Sequence, residues 1–289
     1  MRKWDGKSKG TVLGYRFFIF SIQIFGLRAT YFFASIVSRY FFLFAKKQKN
    51  ALLDFYVKGF QYTLPLAQKT TRQCFNLFAQ TLIDRFAFFT SYKKKFSYDF
   101  ENETVLHQLS EEKKGGVLIS GHIGNWETAA NLLNDRVTDT INVLMLDEEV
   151  EKIKSFLQLK TGGPKFNLIA VKNDLSHVIL VHKALKKGEL VAMHADRPIR
   201  DNKNFVLTFL NKKIHIPSGP FILAHKFKVP VSFVFAVKEK KFHYHLTATN
   251  PVISSLSELD LAKEYVVQLE KMVKKYPNQW YNFFPYFVD

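Results

Sequence analysis

The sequence predicts an α/β fold, in which a mostly parallel sheet flanked by helices follows an N-terminal helical extension. Three observations support this prediction. A chain of 289 residues, 47% of them hydrophobic, can bury a large core. Residues 10–45 are apolar for most of their length. From about residue 115 onward, short apolar runs alternate with helical patterns, which is typical of parallel strands joined by helices.

The first element is the apolar segment over residues 10–45, which is interrupted by Arg16, Arg28 and Arg39. Its length would allow it to cross a bilayer, but an arginine placed at mid-depth costs about 2.5–3.5 kcal/mol. Basic residues flank both ends, which argues against a single crossing. We therefore interpret residues 1–45 as an amphipathic or hairpin pair of membrane-associated helices with both flanks cytoplasmic. A buried helix pair of a soluble protein is the alternative.

No small-residue cleavage pattern follows the apolar run, so we do not expect a removed signal peptide. The main domain is predicted over residues 46–289. Residues 47–90 have apolar positions at intervals of three and four, and Pro65 divides them into two helices. The single cysteine, Cys74, excludes an internal disulfide and is interpreted as a buried thiol.

The sheet of the main domain is predicted from apolar runs, with helical patterns between them. The predicted strands are Val117–Ser120, Ile141–Leu146, Leu168–Val171, Leu190–His194, Phe205–Leu210 and Val231–Val237. The predicted helices are Trp126–Leu133, Val150–Leu159, Leu175–Lys186 and Gly219–Phe227. An antiparallel strand at Phe242–Ala248, a helix at Leu259–Lys274 and an aromatic tail at Trp280–Phe287 that packs on the body complete the chain.

Aromatic residues and positive charge are concentrated in the first 100 residues. This segment contains 18 of the 30 phenylalanines, and its 17 lysines and arginines against four aspartates supply +13 of the net charge of +17. A basic and phenylalanine-rich segment favours an anionic membrane surface over a nucleic acid, because groove binding requires charge and polar reach but no apolar surplus. An acidic protein partner, such as an acyl carrier protein, is also compatible with this charge.

The most informative stretch is Gly115-Gly-Val-Leu-Ile-Ser-Gly-His-Ile-Gly-Asn-Trp-Glu. It places His122 in a loop at the carboxyl end of a strand, where open α/β sheets bind ligands. Glu127 falls in the first turn of the next helix and can reach back to the imidazole. Such a carboxylate fixes the tautomer, so that the other ring nitrogen can act as a general base. A hydrogen-bonded structural histidine is the alternative interpretation.

The sequence indicates no metal site and no cofactor. It contains no HExxH, GxGxxG or Walker pattern, and His243 and His245 alternate along a strand without nearby cysteine or acidic residues in the sequence.

Several segments of the chain resemble the lipid A biosynthesis acyltransferase family of the lysophospholipid acyltransferase-like enzymes. Ser-Gly-His-Ile-Gly-Asn-Trp-Glu is similar to the HX4D/E motif of these enzymes. Val191-Ala-Met-His-Ala-Asp-Arg-Pro resembles their strand that ends in an Asp-containing loop, and Lys212-Lys-Ile-His-Ile-Pro-Ser-Gly-Pro resembles their later strand and capped helix. These segments cover about residues 115–237 in the order of the family.

This resemblance implies an O- or N-acyltransferase at the cytoplasmic face of an inner membrane. The donor would be an acyl thioester on a carrier protein or coenzyme A, and the acceptor a hydroxyl or amine of a membrane lipid or glycolipid. His122 would be the general base and Glu127 its partner. The substrate-binding residues would be Gly121, Asn125, Trp126, Asp196, Arg197, Ser218 and Gly219.

Alternatives remain for some of these residues and for the function. Asp196 and Arg197 are also compatible with a local ion pair, and Ser218 and Gly219 with a simple helix cap. Relatives often carry an Arg-Pro pair after the second strand, where this chain has Leu144-Met-Leu-Asp-Glu-Glu, which leaves the acceptor lipid open. An acyl ester or thioester hydrolase with the same cleft and a non-catalytic basic membrane-binding protein are the two competing functions.

Overall fold

The structure, a computed structural model, describes residues 12–88, 90–126, 140–146, 166–172, 174–198, 203–252 and 256–288. Its helices are α1 (Val12–Phe44), α2 (Lys46–Phe60), α3 (Leu64–Ala87), α4 (Glu103–Glu111), α5 (Ser176–Lys186), α6 (Gly219–Phe227) and α7 (Glu258–Lys275). Its strands are β1 (Ser97–Glu101), β2 (Gly116–Ser120), β3 (Ile141–Leu146), β4 (Asn167–Val171), β5 (Leu190–His194), β6 (Asn204–Phe209), β7 (Lys212–Pro217), β8 (Val231–Lys240), β9 (His243–Ala248) and β10 (Phe287–Val288). Two 3₁₀ turns lie at Ser91–Lys95 and Pro277–Gln279.

A seven-stranded sheet forms the centre of the fold, in the order β1-β9-β8-β2-β5-β3-β4. All neighbouring pairs are parallel except β8 and β9, which are antiparallel. Every residue of β2 is buried, as expected for a central strand covered on both faces. The predicted fold class, a mostly parallel sheet flanked by helices, is confirmed, and so is the antiparallel strand after β8.

Two parts of the predicted sheet differ in the structure. The run Phe205–Leu210, predicted as one more strand of the sheet, instead corresponds to β6 of a separate antiparallel sheet with the order β10-β7-β6. The edge strand β1 and the helix α4 were not predicted, because their sequence mixes charged and apolar residues without a clear period. The helices predicted at Trp126–Leu133 and Val150–Leu159 lie almost entirely outside the described residues.

The helix α1 packs along one face on the rest of the protein. Its buried residues join a cluster with Ile83, Phe86 and Ala87 of α3; they are Ile19, Ile22, Leu27, Tyr31 and Ala34. Gly26 interrupts the helix with φ 74° and ψ 168°, a conformation that glycine adopts at low cost. Residues Phe17–Phe44 are long and apolar enough to cross a membrane, but one face of this segment is packed on the protein.

The last residues of the chain pack into the core, as predicted. Trp280 is 1% exposed, and its ring lies 5.0 Å from that of Phe55 in α2 and 5.2 Å from that of Phe209 in β6. The amide of Tyr281 donates to the carbonyl of His122, and an isolated bridge joins Trp280 to Ile123. The tail therefore pairs with the loop that follows β2.

Candidate active site

His122 lies in the loop at the carboxyl end of β2, as the sequence predicts. Two glycines shape this loop. A Cβ added at Gly121 would approach the hydroxyl of Tyr265 to 2.9 Å and the carboxyl carbon of Asp196 to 3.2 Å. A Cβ at Gly124, whose φ is +66°, would lie 1.9 Å from the carbonyl oxygen of Ala236. The loop is therefore held tightly against β8 and α7.

The imidazole of His122 contacts the carboxylate of Asp196. The two atoms Nδ1 and Oδ1 are 2.7 Å apart, and the backbone amide of His122 donates to Oδ2 of the same carboxylate at 2.8 Å. The Asp196 side chain is 2% exposed and that of His122 is 21% exposed. One edge of the imidazole is therefore buried against an acid, while part of the ring remains accessible.

Asp196 accepts further hydrogen bonds from the C-terminal tail. The indole Nε1 of Trp280 donates to Oδ2 at 3.0 Å, and the hydroxyl of Tyr286 donates to the backbone carbonyl of Asp196 at 2.9 Å. Burial alone would raise the pKa of this carboxyl, but the charge of His122 and the hydrogen bond from its ring outweigh burial and hold the pKa well below its usual range. Asp196 is therefore an anion that can balance a positive charge on His122.

A second histidine lies against His122. The ring of His194, the last residue of β5, has its centroid 4.4 Å from that of His122 with an interplanar angle of 31°. The indole of Trp126 also contacts His194, with 4.8 Å between the ring centroids and an interplanar angle of 72°. Burial, followed by the charge of His122, lowers the pKa of His194 from 6.5 to about 3. His194 is therefore a neutral ring at physiological pH.

His122, His194 and Asp196 also have the composition of a metal site, because one ligand atom from each lies within 4.8 Å of the others. The sequence did not predict this cluster. Both oxygens of Asp196 already accept N–H groups, so a metal ion would have to displace the proton between His122 and Asp196. The geometry thus favours a hydrogen-bonded acid–base pair.

The other predicted site residues have different surroundings. Asn125 is 2% exposed, and its amide donates to the carbonyl of Thr81 and the hydroxyl of Tyr244, so it ties the loop to α3 and β9. Trp126 contacts His194, as described above. Arg197 donates to the carbonyl of Tyr281 at 3.0 Å, which connects it to the tail.

Ser218 and Gly219 lie at the beginning of α6. The hydroxyl of Ser218 donates to the carbonyl of Lys203 at 2.8 Å, so this side chain does not cap the helix. A Cβ at Gly219 would meet no atom within 4 Å. The space around the Gly219 α-carbon is therefore open.

Glu127, the predicted partner of His122, lies outside the described residues. Among the residues that the structure describes, Asp196 is the acid on Nδ1 of His122. The sequence placed Asp196 near the site through its position after β5 but did not predict this contact. His194, Trp280, Tyr265 and Tyr286 were not predicted as site residues. For His194 a signal existed, since it ends the strand next to β2, whereas the tail residues come from 84 or more positions away and have no recognisable spacing.

Comparison with curated proteins gives no significant match. A family model described as bacterial lipid A biosynthesis acyltransferase matches residues 7–288, which is nearly the whole chain. This match agrees with the resemblance found in the sequence and extends it from about residues 115–237 to both ends. The chain therefore belongs to the bacterial lipid A biosynthesis acyltransferase family, whose members transfer acyl groups to lipid.

Proposed function

We propose that this protein transfers a fatty acyl chain from an acyl thioester to a hydroxyl or amine of a membrane lipid or glycolipid, with His122 as the general base. The observation that carries this proposal is the 2.7 Å contact between Nδ1 of His122 and the buried carboxylate of Asp196. It lies at the carboxyl end of a central parallel strand, where such sheets bind their ligands.

The contact with Asp196 determines which nitrogen of His122 can react. Because the ionised carboxylate can only accept, Nδ1 carries the proton and donates it, and Nε2 is left with a lone pair. Nε2 removes the proton from the acceptor hydroxyl while its oxygen attacks the thioester carbonyl. When the tetrahedral intermediate collapses, the carbon–sulfur bond breaks and the imidazolium returns the proton to the leaving thiolate. Asp196 stabilises the imidazolium between these two steps.

Glu127 remains part of the proposal as a second acid of the site, in the HX4E spacing from His122. Because Asp196 contacts Nδ1 of His122, the roles of Asp196 and Glu127 are separable, and variants of each acid can distinguish them. Trp126 and Arg197 would line the substrate cleft, Gly121 permits the close approach of Asp196 to the loop, and Asn125 holds the loop in place. The amide of Gly219, at the beginning of α6, would bind a phosphate or the thioester carbonyl. Ser218, whose amide and hydroxyl both donate to the carbonyl of Lys203, would hold this end of the helix in place.

The donor is proposed to be an acyl group on a carrier protein or on coenzyme A. The acceptor would lie in the cytoplasmic face of the inner membrane, to which α1 would bind the protein. Twelve large apolar residues of α1 are exposed by 38% or more, and they are Phe17, Phe20, Ile24, Phe25, Phe32, Phe33, Ile36, Val37, Tyr40, Phe41, Leu43 and Phe44. Arg28 and Arg39 are exposed on the same helix and suit anionic lipid headgroups.

The packing of α1 supports a helix that lies in the membrane surface. The hydroxyl of Tyr31 donates to Asp84 of α3 and accepts a hydrogen bond from the ammonium of Lys238 at 2.7 Å, all within the protein interior. A helix that crossed the bilayer away from the rest of the protein would remove Tyr31 from these contacts and expose the buried ion pair of Asp84 and Lys238. One face of α1 therefore belongs to the protein and the other is available to lipid.

The test is an acyl-transfer assay with labelled acyl thioester and membrane lipid extract. His122→Ala should lower the rate of lipid labelling by at least about 10²-fold, and Asp196→Asn by about 10²–10⁴-fold. Glu127→Gln, measured beside them, shows which acid the reaction requires. As a matched control, His182→Ala removes an imidazole that is stacked 4.9 Å from Phe227, and it should leave the rate unchanged.

Two outcomes would contradict the proposal. If the wild-type protein released free fatty acid but labelled no lipid, its function would be that of a hydrolase. If His122→Ala labelled lipid as fast as wild type, the site would not be catalytic.

A further inference from the structure

His194 is brought to the site by the register of the sheet. In the parallel pair of β2 and β5, His194 is the partner of Ser120, which lies two residues before His122. Tyr265 anchors this end of β2, since its hydroxyl donates to the carbonyl of Ser120 at 2.9 Å. The backbone that carries the His194 ring is thus fixed in the centre of the sheet.

The two neighbours of His122 constrain different motions of its ring. Asp196 holds the edge of the ring through Nδ1, at 2.7 Å. A single hydrogen bond still allows the ring to tilt about the line that joins the two atoms. His194 lies against the face of the ring, with 4.4 Å between the centroids, and the indole of Trp126 packs edge to face on His194 at 4.8 Å. Tilting toward that side is therefore blocked.

The charge state of His194 suits a ring in this place. His122 gains a positive charge when it accepts a proton, and a second cation 4.4 Å away would oppose that step. Burial keeps His194 neutral, with a pKa lowered to about 3. The ring can therefore cover His122 without competing for the proton.

From this arrangement, and resting on the proposed function, we propose that His194 is a positioning residue: its ring covers one face of the His122 imidazole and limits it to the orientation in which Nδ1 meets Asp196 and Nε2 faces the substrate. The requirement is for the shape of the ring. A planar aromatic side chain without nitrogen atoms should therefore replace it.

The variants His194→Phe and His194→Ala separate shape from chemistry. Displacing a reacting group by about 1 Å can cost about 10²-fold in rate. We therefore expect His194→Ala to lower kcat by about tenfold or more while KM changes by less than about threefold. His194→Phe should restore kcat to within about threefold of wild type. His182→Ala, an imidazole in α5 that packs on Phe227, is the matched control and should retain full activity.

A second measurement does not depend on turnover. The imidazole N–H proton shared by His122 and Asp196 should give a downfield NMR resonance, identified by its loss in His122→Gln. This resonance should broaden or disappear in His194→Ala and persist in His194→Phe. If the wild-type protein transferred no acyl group at all, the proposed function would fail, and the NMR result would still decide whether His194 positions His122.

Two results would overturn the role of His194 as a positioning residue. His194→Ala with wild-type kcat and an unchanged resonance would show that the ring is dispensable. His194→Phe as impaired as His194→Ala would show that a ring nitrogen, and not the shape, is required. If thermal unfolding shows that His194→Ala does not fold, His194→Leu, which fills the space without a flat ring, takes its place with the same expected loss.

Discussion

Trp280 donates its indole proton to Oδ2 of Asp196 at 3.0 Å, although 84 residues separate them in the chain. The same carboxylate binds the ring and the amide of His122. The C-terminal tail is therefore part of the candidate active site, since Trp280 fixes the carboxylate of Asp196, which in turn fixes the imidazole of His122.

This contact predicts that Trp280→Phe impairs both stability and activity. The variant leaves an oxygen of a buried, ionised carboxylate without one of its donors, and hydrogen bonds to charged groups contribute about 1.5–3 kcal/mol. We expect the free energy of unfolding to fall by about that amount and the rate of acyl transfer to fall by about tenfold. Urea unfolding and the labelling assay measure the two effects.

The control for this variant is Tyr276→Phe, which removes a hydroxyl that donates to Glu239 at 2.6 Å on the protein surface. It should change stability by less than about 1 kcal/mol. Equal losses in the two variants would show that the bond between Trp280 and Asp196 has no special importance.

The partly buried ring of His194 predicts a specific loss of stability in acid. Its pKa is about 3 in the folded protein, compared with an ordinary value of 6.5. Below pH 6.5, His194 binds a proton in the unfolded chain but not in the folded protein. The part of the folding stability that depends on the neutral ring is therefore fully present above pH 6.5 and is lost as the pH falls toward 3. His194→Phe should therefore lose less stability than wild type over this range, as measured by unfolding at a series of pH values. Parallel stability curves for the two proteins would contradict this prediction.

The sequence was sufficient to predict most strands of the central sheet and the position of His122, because both depend on local patterns. Apolar runs of four to six residues mark β2 and β5, and two glycines with a histidine mark the turn that follows β2. The contact of His122 with Asp196 is different in kind. It depends on which strand lies beside β2, and strand order is a long-range property that periodicity does not reveal.

The buried pair of Asp84 and Lys238 shows the same limit. Both residues are charged, and such residues are mostly exposed in proteins. Asp84 is nevertheless 0% and Lys238 6% exposed, with 2.6 Å between their charged groups. Only the packing of α1, α3 and β8 together brings them into the interior. Composition indicated the apolar character of α1 but not the polar contact that holds it in place.

This pair predicts a large effect of Lys238→Met. Burial lowers the pKa of Lys238 and Asp84 opposes that shift, so each charge depends on the other. Removing one partner of a buried ion pair costs about 3–5 kcal/mol, because the other charge is left without compensation. Urea unfolding should show this loss. Adding Asp84→Asn should recover part of it, because it removes the uncompensated charge while the amide oxygen can still accept a hydrogen bond from the hydroxyl of Tyr31 or Tyr244.

The control is Lys263→Met, which breaks an exposed pair with Asp260 at 2.7 Å. Surface pairs contribute about 0–1 kcal/mol, so a small loss is expected. A double variant as unstable as the sum of its two single variants would show that the two charges are not coupled.

The exposed face of α1 predicts membrane binding that depends on its aromatic residues. Replacing Phe32 and Phe41 by serine should weaken sedimentation with anionic vesicles by at least about tenfold, because burial of one such side chain contributes about 1.5–3 kcal/mol. Leu175 and Ile179, which are 63% and 59% exposed near the start of α5, provide the matched control. The same substitution there should leave vesicle binding unchanged. Equal binding of both double variants would contradict the assignment of α1 to the membrane.

Gly124 and Gly219 give the sharpest comparison within the candidate site. At Gly124, φ is +66° and a Cβ would lie 1.9 Å from the carbonyl oxygen of Ala236, so an alanine must push the loop away from β8. His122 is two residues away, and its amide and ring would both shift relative to Asp196. Gly124→Ala should therefore lower the transfer rate by about 10²-fold, the order expected for a displacement of about 1 Å.

At Gly219, a Cβ would meet no atom within 4 Å, and any use of this residue through its amide survives the substitution. Gly219→Ala should keep the wild-type rate and stability, measured in the same assays. If it were inactive while Gly124→Ala remained active, the beginning of α6 rather than the loop after β2 would contain the reacting groups.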